Sequence, residues 1–101
     1  MRGNFGLPKP SDITVFKDEK TDTYFYEQIL LKNCLMSEEV FYNFKDSGLN
    51  GSDFYINIHK KLWEAMEKAT LKEGISELTV AEYCDADEDV VKSTIEDLKG
   101  I

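Results

Sequence analysis

Residues 49–70 read LNGSDFYINIHKKLWEAMEKAT. Apolar side chains in this stretch recur at spacings of four, four and three, which is the period of one helix face; they are Ile58, Leu62, Met66 and Ala69. Lysines and glutamates fill the opposite face, so the stretch predicts an amphipathic helix, the longest in the chain. We expect Gly51-Ser52-Asp53 to open this helix and Gly74 to end it.

Two further helical patterns precede this stretch. Residues 21–36 are apolar over most of a helix circumference, which predicts a central helix, with Thr21 or Asp22 as its cap. Ser37 is placed to cap a second helix, with two glutamates following it in the first turn. Gly48 is then expected at the C′ position that ends this second helix.

Two short helical patterns follow. Thr79-Val80-Ala81-Glu82 has the spacing of a capping box, in which Thr79 bonds forward and Glu82 reaches back. A last helix is expected to begin near Asp85 or Asp87 and to stop at Gly100. Because no stretch alternates long enough for a sheet, the sequence predicts an all-α fold. It would be a compact bundle of about five to six short helices around a central apolar helix, with an irregular N-terminal arm.

The first twenty residues have a different composition from the rest. Glycines and prolines cluster in the first ten, which excludes a regular helix there. Ile13, Val15 and Phe16 would form a short strand or an arm laid across the domain. We therefore divide the chain into an arm, residues 1–20, and one folded domain, residues 21–101.

Size and charge restrict the function. A chain of 101 residues is one domain. Its 20 acidic and 12 basic residues give a formal net charge of −8, which opposes nonspecific DNA binding and favours protein partners. No apolar run approaches a secretory signal or a membrane helix, and Cys34 and Cys84 have the surroundings of buried thiols in a reducing compartment. These features predict a cytoplasmic protein without membrane contact.

The sequence contains only weak matches to catalytic and metal-binding motifs. Asp85, Asp87, Asp89 and Glu96 resemble an EF-hand loop, but Val90 stands where that loop needs glycine. His59, the only histidine, would need Cys34 and Cys84 to converge on it for a zinc site, and it lacks a nucleophile motif. There is no phosphate-binding loop for ATP. We therefore assign no catalytic, cofactor-binding or metal residue to this chain.

Several segments resemble one family. Residues 27–36, EQILLKNCLM, look like its opening helix, and a longer spaced pattern matches without a gap: Leu49, Asp53, Phe54, Tyr55, His59 and Leu62, followed by Trp63-Glu64-Ala65-Met66. The segment around Thr79 resembles the start of a later helix. Over about residues 26–82 the chain resembles the N-terminal domain of bacterial and phage replicative DNA helicases of the DnaB type.

The matched signature residues have structural roles under this resemblance. Asp53 would cap the long helix and His59 would bridge its first turn to a neighbour by a hydrogen bond. The remaining signature residues, Leu49, Phe54, Tyr55, Leu62 and Thr79, are expected to hold the fold. Lys92, Glu96 and Lys99 are candidate protein-interface residues on the last helix.

The resemblance implies a collar role. In the full-length helicase this domain would sit on one face of the hexameric ring, pair with other helicase subunits, and receive primase and the helicase loader. ATP and Mg²⁺ would belong to the motor domain, which is absent from these residues. The whole protein would then be an ATP-dependent DNA helicase, and this chain alone would have no enzymatic activity, no cofactor and no direct DNA contact.

Three other readings stay open from the sequence. The chain could be a free-standing adaptor or phage inhibitor that resembles the collar domain. It could also be the helicase-binding domain of a primase, although the Asp-Phe-Tyr…His signature favours the helicase. A DNA-binding winged helix is the third, and the acidic side chains along residues 87–97 have the wrong sign for it.

Overall fold

The computed structural model describes the backbone of residues 20–101 and the side chains of residues 23–101. Five α-helices and one 3₁₀ turn make up this part of the chain: α1 Lys20–Met36, α2 Glu38–Asp46, the 3₁₀ turn Gly51–Asp53, α3 Asn57–Thr70, α4 Glu77–Tyr83 and α5 Glu88–Lys99. No strand occurs among these residues, so the prediction of an all-α bundle is confirmed. The predicted arm, including the strand at Ile13–Phe16, lies outside the described residues apart from Lys20.

Helix α1 begins earlier than the sequence predicted. Thr21 and Asp22 were expected to cap it, but Lys20 is already helical, so both residues lie inside its first turn. Its inner face is almost completely enclosed by α2, α3 and α5 and consists of Thr23, Tyr26, Glu27, Leu30, Leu31 and Cys34. Burying the four apolar members contributes on the order of 1.5–3 kcal/mol for each large side chain.

Helix α3 supplies the other half of the core. Six of its 14 residues are buried, and they follow the predicted period: His59, Leu62, Trp63, Ala65, Met66 and Ala69. The Trp63 ring lies 4.6 Å from the ring of Phe41 on α2 and 5.7 Å from that of Phe54. These aromatic contacts join α2 and the 3₁₀ turn to α3 at the centre of the molecule.

The predicted start of α3 is wrong. Gly51-Ser52-Asp53 forms a separate 3₁₀ turn because the Asp53 carboxylate bonds back to the Asn50 N–H at 2.9 Å, while the Asn50 side chain accepts from Ser52. The backbone is then extended at Phe54, and α3 begins at Asn57. Asp53 therefore caps the 3₁₀ turn and not the long helix. With 14 residues against 17 for α1, α3 is also not the longest helix described.

Helix α2 ends as the sequence predicted. Gly48 has φ +106°, a conformation that suits glycine, and its N–H donates to the Lys45 carbonyl at 3.0 Å. The Leu49 N–H donates to the Phe44 carbonyl at 3.1 Å, which completes a Schellman motif. This reversal turns Leu49 into the core, where it is buried.

The predicted capping box of α4 is also wrong. Ser76 is the N-cap, and Thr79 occupies the N3 position instead of the cap. The Thr79 N–H donates to Ser76 Oγ at 3.1 Å, and the Ser76 N–H donates to Thr79 Oγ1 at 3.0 Å. The Thr79 hydroxyl also donates to the Gly74 carbonyl at 2.7 Å, which fixes Thr79 in the third position. The box therefore begins three residues earlier than predicted.

Candidate functional site

A buried polar pair joins α1 to the start of α3. Glu27 and His59 are 1% and 0% exposed, and Glu27 Oε1 lies 2.8 Å from His59 Nδ1. The two atoms are within hydrogen-bond distance, and Nδ1 is the donor when the Glu27 carboxylate is ionised. The pair is 32 residues apart in sequence, so the fold alone brings its members together.

The Glu27 carboxylate also holds the backbone ahead of α3. Its Oε2 accepts the Tyr55 N–H at 2.7 Å, and its Oε1 accepts the Ile56 N–H at 3.3 Å. Ile56 is the N-cap of α3 and His59 is its N3 residue. In an ordinary capping box the N3 side chain accepts from the N-cap N–H, and here Glu27 performs that task from another helix.

The surroundings of the pair exclude solvent. The Tyr24 ring lies 4.8 Å from the His59 ring and covers it from α1. Among the described residues, His59 Nε2 has no hydrogen-bond partner. Because both members of the pair are enclosed, no substrate can reach them, and the arrangement positions the backbone instead of performing acid–base chemistry.

The signature residues lie in and around this centre. Tyr55 and His59 meet at Glu27, and Phe54 and Leu62 are buried in the adjacent core. Three others lie where local elements begin or end. Leu49 completes the Schellman motif, Asp53 bonds back to the start of the 3₁₀ turn, and Thr79 is the last residue of the capping box of α4. The aromatic side chain of Tyr55 is exposed, although its backbone is fixed.

The three candidate interface residues share one exposed face of α5. Lys92 lies 3.8 Å from Glu88, a surface ion pair one turn away. Lys99 is engaged more closely, with its Nζ 3.4 Å from Glu77 on α4 and 3.5 Å from Glu96. The hydrogen bond to Glu77, with the charges of both glutamates, raises the pKa of Lys99. Lys99 therefore bridges α5 and α4 at the surface, while Lys92 and Glu96 project into solvent.

The cysteines do not converge on the histidine. Burial raises the pKa of the Cys34 thiol to about 12, and burial also raises the pKa of the half-buried Cys84. Both shifts disfavour the thiolate, which is the form of cysteine that binds a metal. Within residues 20–101 no group of three or more histidine, cysteine, aspartate or glutamate side chains could hold a metal ion.

Sequence reasoning missed two features of this site. It gave Glu27 no role of its own in the predicted central helix, because no local spacing links a glutamate to a histidine 32 positions later. It also did not single out the apolar side chains left on the surface at helix ends, which are Met36, Leu71 and Leu78. Their signal was their position next to breaks in the helical pattern.

In the described part of the chain, no helix has the length and apolar character needed to span a bilayer.

Together these observations define an all-α domain with a closed polar centre and exposed apolar side chains at its edges. A comparison with protein-family models matches residues 20–100 to the DnaB-like helicase N terminal domain. The chain belongs to this family of helicase N-terminal domains. Comparisons with curated proteins and with solved structures found no match.

Proposed function

We propose that the chain works as the collar domain of a replicative DNA helicase, where it contacts other helicase subunits and receives primase and the helicase loader. The observation that carries the proposal is the family match, which spans residues 20–100 and therefore all five helices. Because the polar centre is enclosed, the domain can act only through its surface. Binding of other proteins is a function that a surface of this kind can perform.

Two contacts between helices support this role. Glu27 ties α1 to the start of α3, and Lys99 ties α5 to α4. A partner that docks on a preformed surface loses less conformational entropy than one that must order its target. The exposed aromatic residues Tyr24, Phe25 and Tyr55 lie on or next to these fixed segments and are of the kind that protein interfaces use.

The same proposal assigns the chemistry of the helicase elsewhere. ATP and Mg²⁺ would be bound by the motor domain, and this domain would hold no cofactor. We place the protein in the cytoplasm, where replication takes place in bacteria and in phage infection. Lys92 and Glu96, which project from α5, remain our candidate interface residues together with Lys99.

The test is a mass measurement. Light scattering on the purified chain, alone and with a C-terminal fragment of primase from the same genome, reports both self-association and primase binding. We expect a 1:1 or higher complex with the fragment. A mixture that elutes as two unchanged species, with primase and loader alike, would contradict the collar role.

The coding sequence beyond residue 101 separates the collar from a free-standing adaptor. A phosphate-binding loop downstream supports a helicase. A stop codon at that point favours an adaptor or inhibitor that resembles the collar.

The winged-helix alternative has its own test. With a net charge of −8, the chain is expected to show no binding to duplex DNA at low salt in a fluorescence anisotropy titration. Tight binding that weakens as salt rises would instead support a DNA-binding domain.

A further inference from the structure

Three large apolar side chains stand out on the surface. Met36 is 75% exposed, Leu71 82% and Leu78 76%, which is more than any other large apolar side chain of the described residues. Each lies at a helix end: Met36 is the last residue of α1, Leu71 the C-cap of α3 and Leu78 the second residue of α4. Single exposed apolar residues are ordinary, but neighbouring ones mark interaction sites.

The contacts of Glu38 bring two of these helix ends together. Glu38 begins α2 one residue after the α1–α2 junction, and its Oε1 accepts the Ile75 N–H at 3.5 Å. A Cβ added at Gly74 would lie 3.2 Å from the same oxygen. Glu38, two residues past the end of α1, therefore lies against the connection between α3 and α4, which is flanked by Leu71 and Leu78.

The end of α5 closes the same region. The Lys32 ammonium donates to the Ile101 carbonyl, and Lys32 lies one turn before Met36 on α1. Lys99 reaches Glu77, the residue next to Leu78. These contacts place the helix ends that carry Met36, Leu71 and Leu78 around one region of the surface, which we call the apolar patch.

The charges around the apolar patch are predominantly negative. Seven glutamates lie beside it in sequence, through the contacts above or in the groove that Leu71 lines, against five lysines; they are Glu38, Glu39, Glu64, Glu67, Glu73, Glu77 and Glu96, and Lys32, Lys45, Lys68, Lys72 and Lys99. Three of the lysines already bond within the chain, Lys32 to Ile101, Lys45 to Glu67 and Lys99 to its glutamates. The net charge of the whole chain, −8, has the same sign, so it favours a basic partner over a second copy at this patch and leaves the contacts between helicase subunits to other surfaces.

We propose that the apolar patch binds an amphipathic helix of a partner protein, with leucine-like side chains on one face and lysine or arginine along both edges. The apolar face would cover Met36, Leu71 and Leu78, and the basic edges would meet the surrounding carboxylates. This assignment rests on the proposed function of the domain as a protein-binding collar, and it names the chemistry of one partner segment.

The experiment uses two synthetic peptides of about 18 residues, long enough to form helices, with the same leucine face. One peptide has a lysine polar face and the other a glutamate polar face. Anisotropy of the labelled peptides is measured against the 101-residue chain. We expect the lysine peptide to bind at least about 10-fold more tightly, and its advantage to shrink as salt rises.

Two pairs of variants locate the binding site. The double substitution Leu71→Ser with Leu78→Ser is expected to weaken binding of the lysine peptide by about 10-fold or more. It removes two leucine side chains that the bound peptide would cover. The control, Val90→Ser, removes an exposed apolar side chain near the start of α5 and should leave binding unchanged. Glu39→Lys with Glu73→Lys should weaken binding, whereas the equal charge change of Asp85→Lys with Asp89→Lys should leave most of it in place.

Several results would overturn the proposal. Equal binding of the two peptides, or full binding by the Leu71→Ser, Leu78→Ser variant, would remove the assignment. Sedimentation equilibrium that shows self-association abolished by the same two substitutions would assign the apolar patch to a second copy. On the wild-type chain, peptide-induced amide shifts in an NMR spectrum must include Gly74 and Ile75. If the lysine peptide does not bind while the primase fragment still forms a complex in light scattering, the collar role stands and only this assignment is lost.

Discussion

Helices α3 and α4 begin in two different ways. At α4, Ser76 and Thr79 accept each other's backbone N–H, so four consecutive residues supply their own cap. At α3 the N-cap is Ile56, whose side chain cannot accept a hydrogen bond. Glu27, from α1, accepts the Ile56 N–H, as the N3 side chain of a capping box would, together with the N–H of Tyr55.

The difference separates secondary from tertiary stabilisation. A local cap stabilises one helix whether or not the rest of the domain is folded. The distant cap forms only when α1 and α3 pack together, so it makes the start of α3 depend on the whole fold. It also leaves a buried carboxylate in the core, which is tolerated because three donors satisfy it. Four substitutions test this contrast.

Removal of the distant cap should have the largest effect. Glu27→Ala leaves the buried His59 and two backbone N–H groups without their acceptor, so we expect a loss of about 3–5 kcal/mol in the free energy of unfolding. Urea unfolding followed by Trp63 fluorescence measures this. The matched control is Glu67→Ala, which removes a half-exposed glutamate 2.9 Å from Lys45 and should cost less than about 1 kcal/mol. Equal losses of unfolding free energy in the two variants would show that the buried pair contributes no more to stability than a surface ion pair.

The local cap should cost less. Thr79→Val keeps the shape of the buried side chain but removes the hydroxyl that accepts from Ser76 and donates to Gly74. We expect a loss of about 1–2 kcal/mol. Hydrogen exchange should become faster mainly in α4, while the Glu27→Ala variant should speed exchange in α1 and α3 together. Faster exchange throughout the domain in Thr79→Val would contradict the distinction between local and distant caps.

A local helix end gives the third comparison. At Gly48 an added Cβ would have no atom within 4 Å, so Gly48→Ala tests the positive φ alone. We expect a loss of about 1 kcal/mol, measured by thermal unfolding. A loss as large as that of Glu27→Ala would show that the Schellman motif, which directs Leu49 into the core, has a tertiary role as well.

The smallest effect is expected at the surface. Lys99→Ala removes the ion pairs with Glu77 and Glu96, all of them exposed, and should change the free energy of unfolding by less than about 1 kcal/mol. Raising the salt concentration should reduce even this difference. A larger, salt-insensitive loss would place Lys99 among the residues that hold the core.

The sequence predicted the features that depend on local chemistry. The helical period located the buried faces of α1 and α3, and Gly48 marked the end of α2 because only a positive φ completes that turn. Asp53 was assigned to the wrong element because its carboxylate closes a 3₁₀ turn three residues back, a choice that the downstream apolar run does not reveal. Thr79 fits a capping box as its first or its last member, and the contact with Gly74 decides between them.

The candidate site was less accessible to sequence reasoning. His59 was predicted to bond a neighbour, and it does, but its partner could not be named because the packing of α1 on α3 selects Glu27. The exposed positions of Met36, Leu71 and Leu78 depend in the same way on how the helices end against one another. The interface role of Lys92, Glu96 and Lys99 stays a prediction.

The two thiols differ enough to be used separately. Cys34 is enclosed in the core and its pKa is near 12, so a maleimide reagent cannot attack it while the domain is folded. Cys84, which follows α4, is half exposed. A single dye can therefore be attached to Cys84 of the native protein without any mutation. The rate at which Cys34 is then modified measures how often the whole domain unfolds.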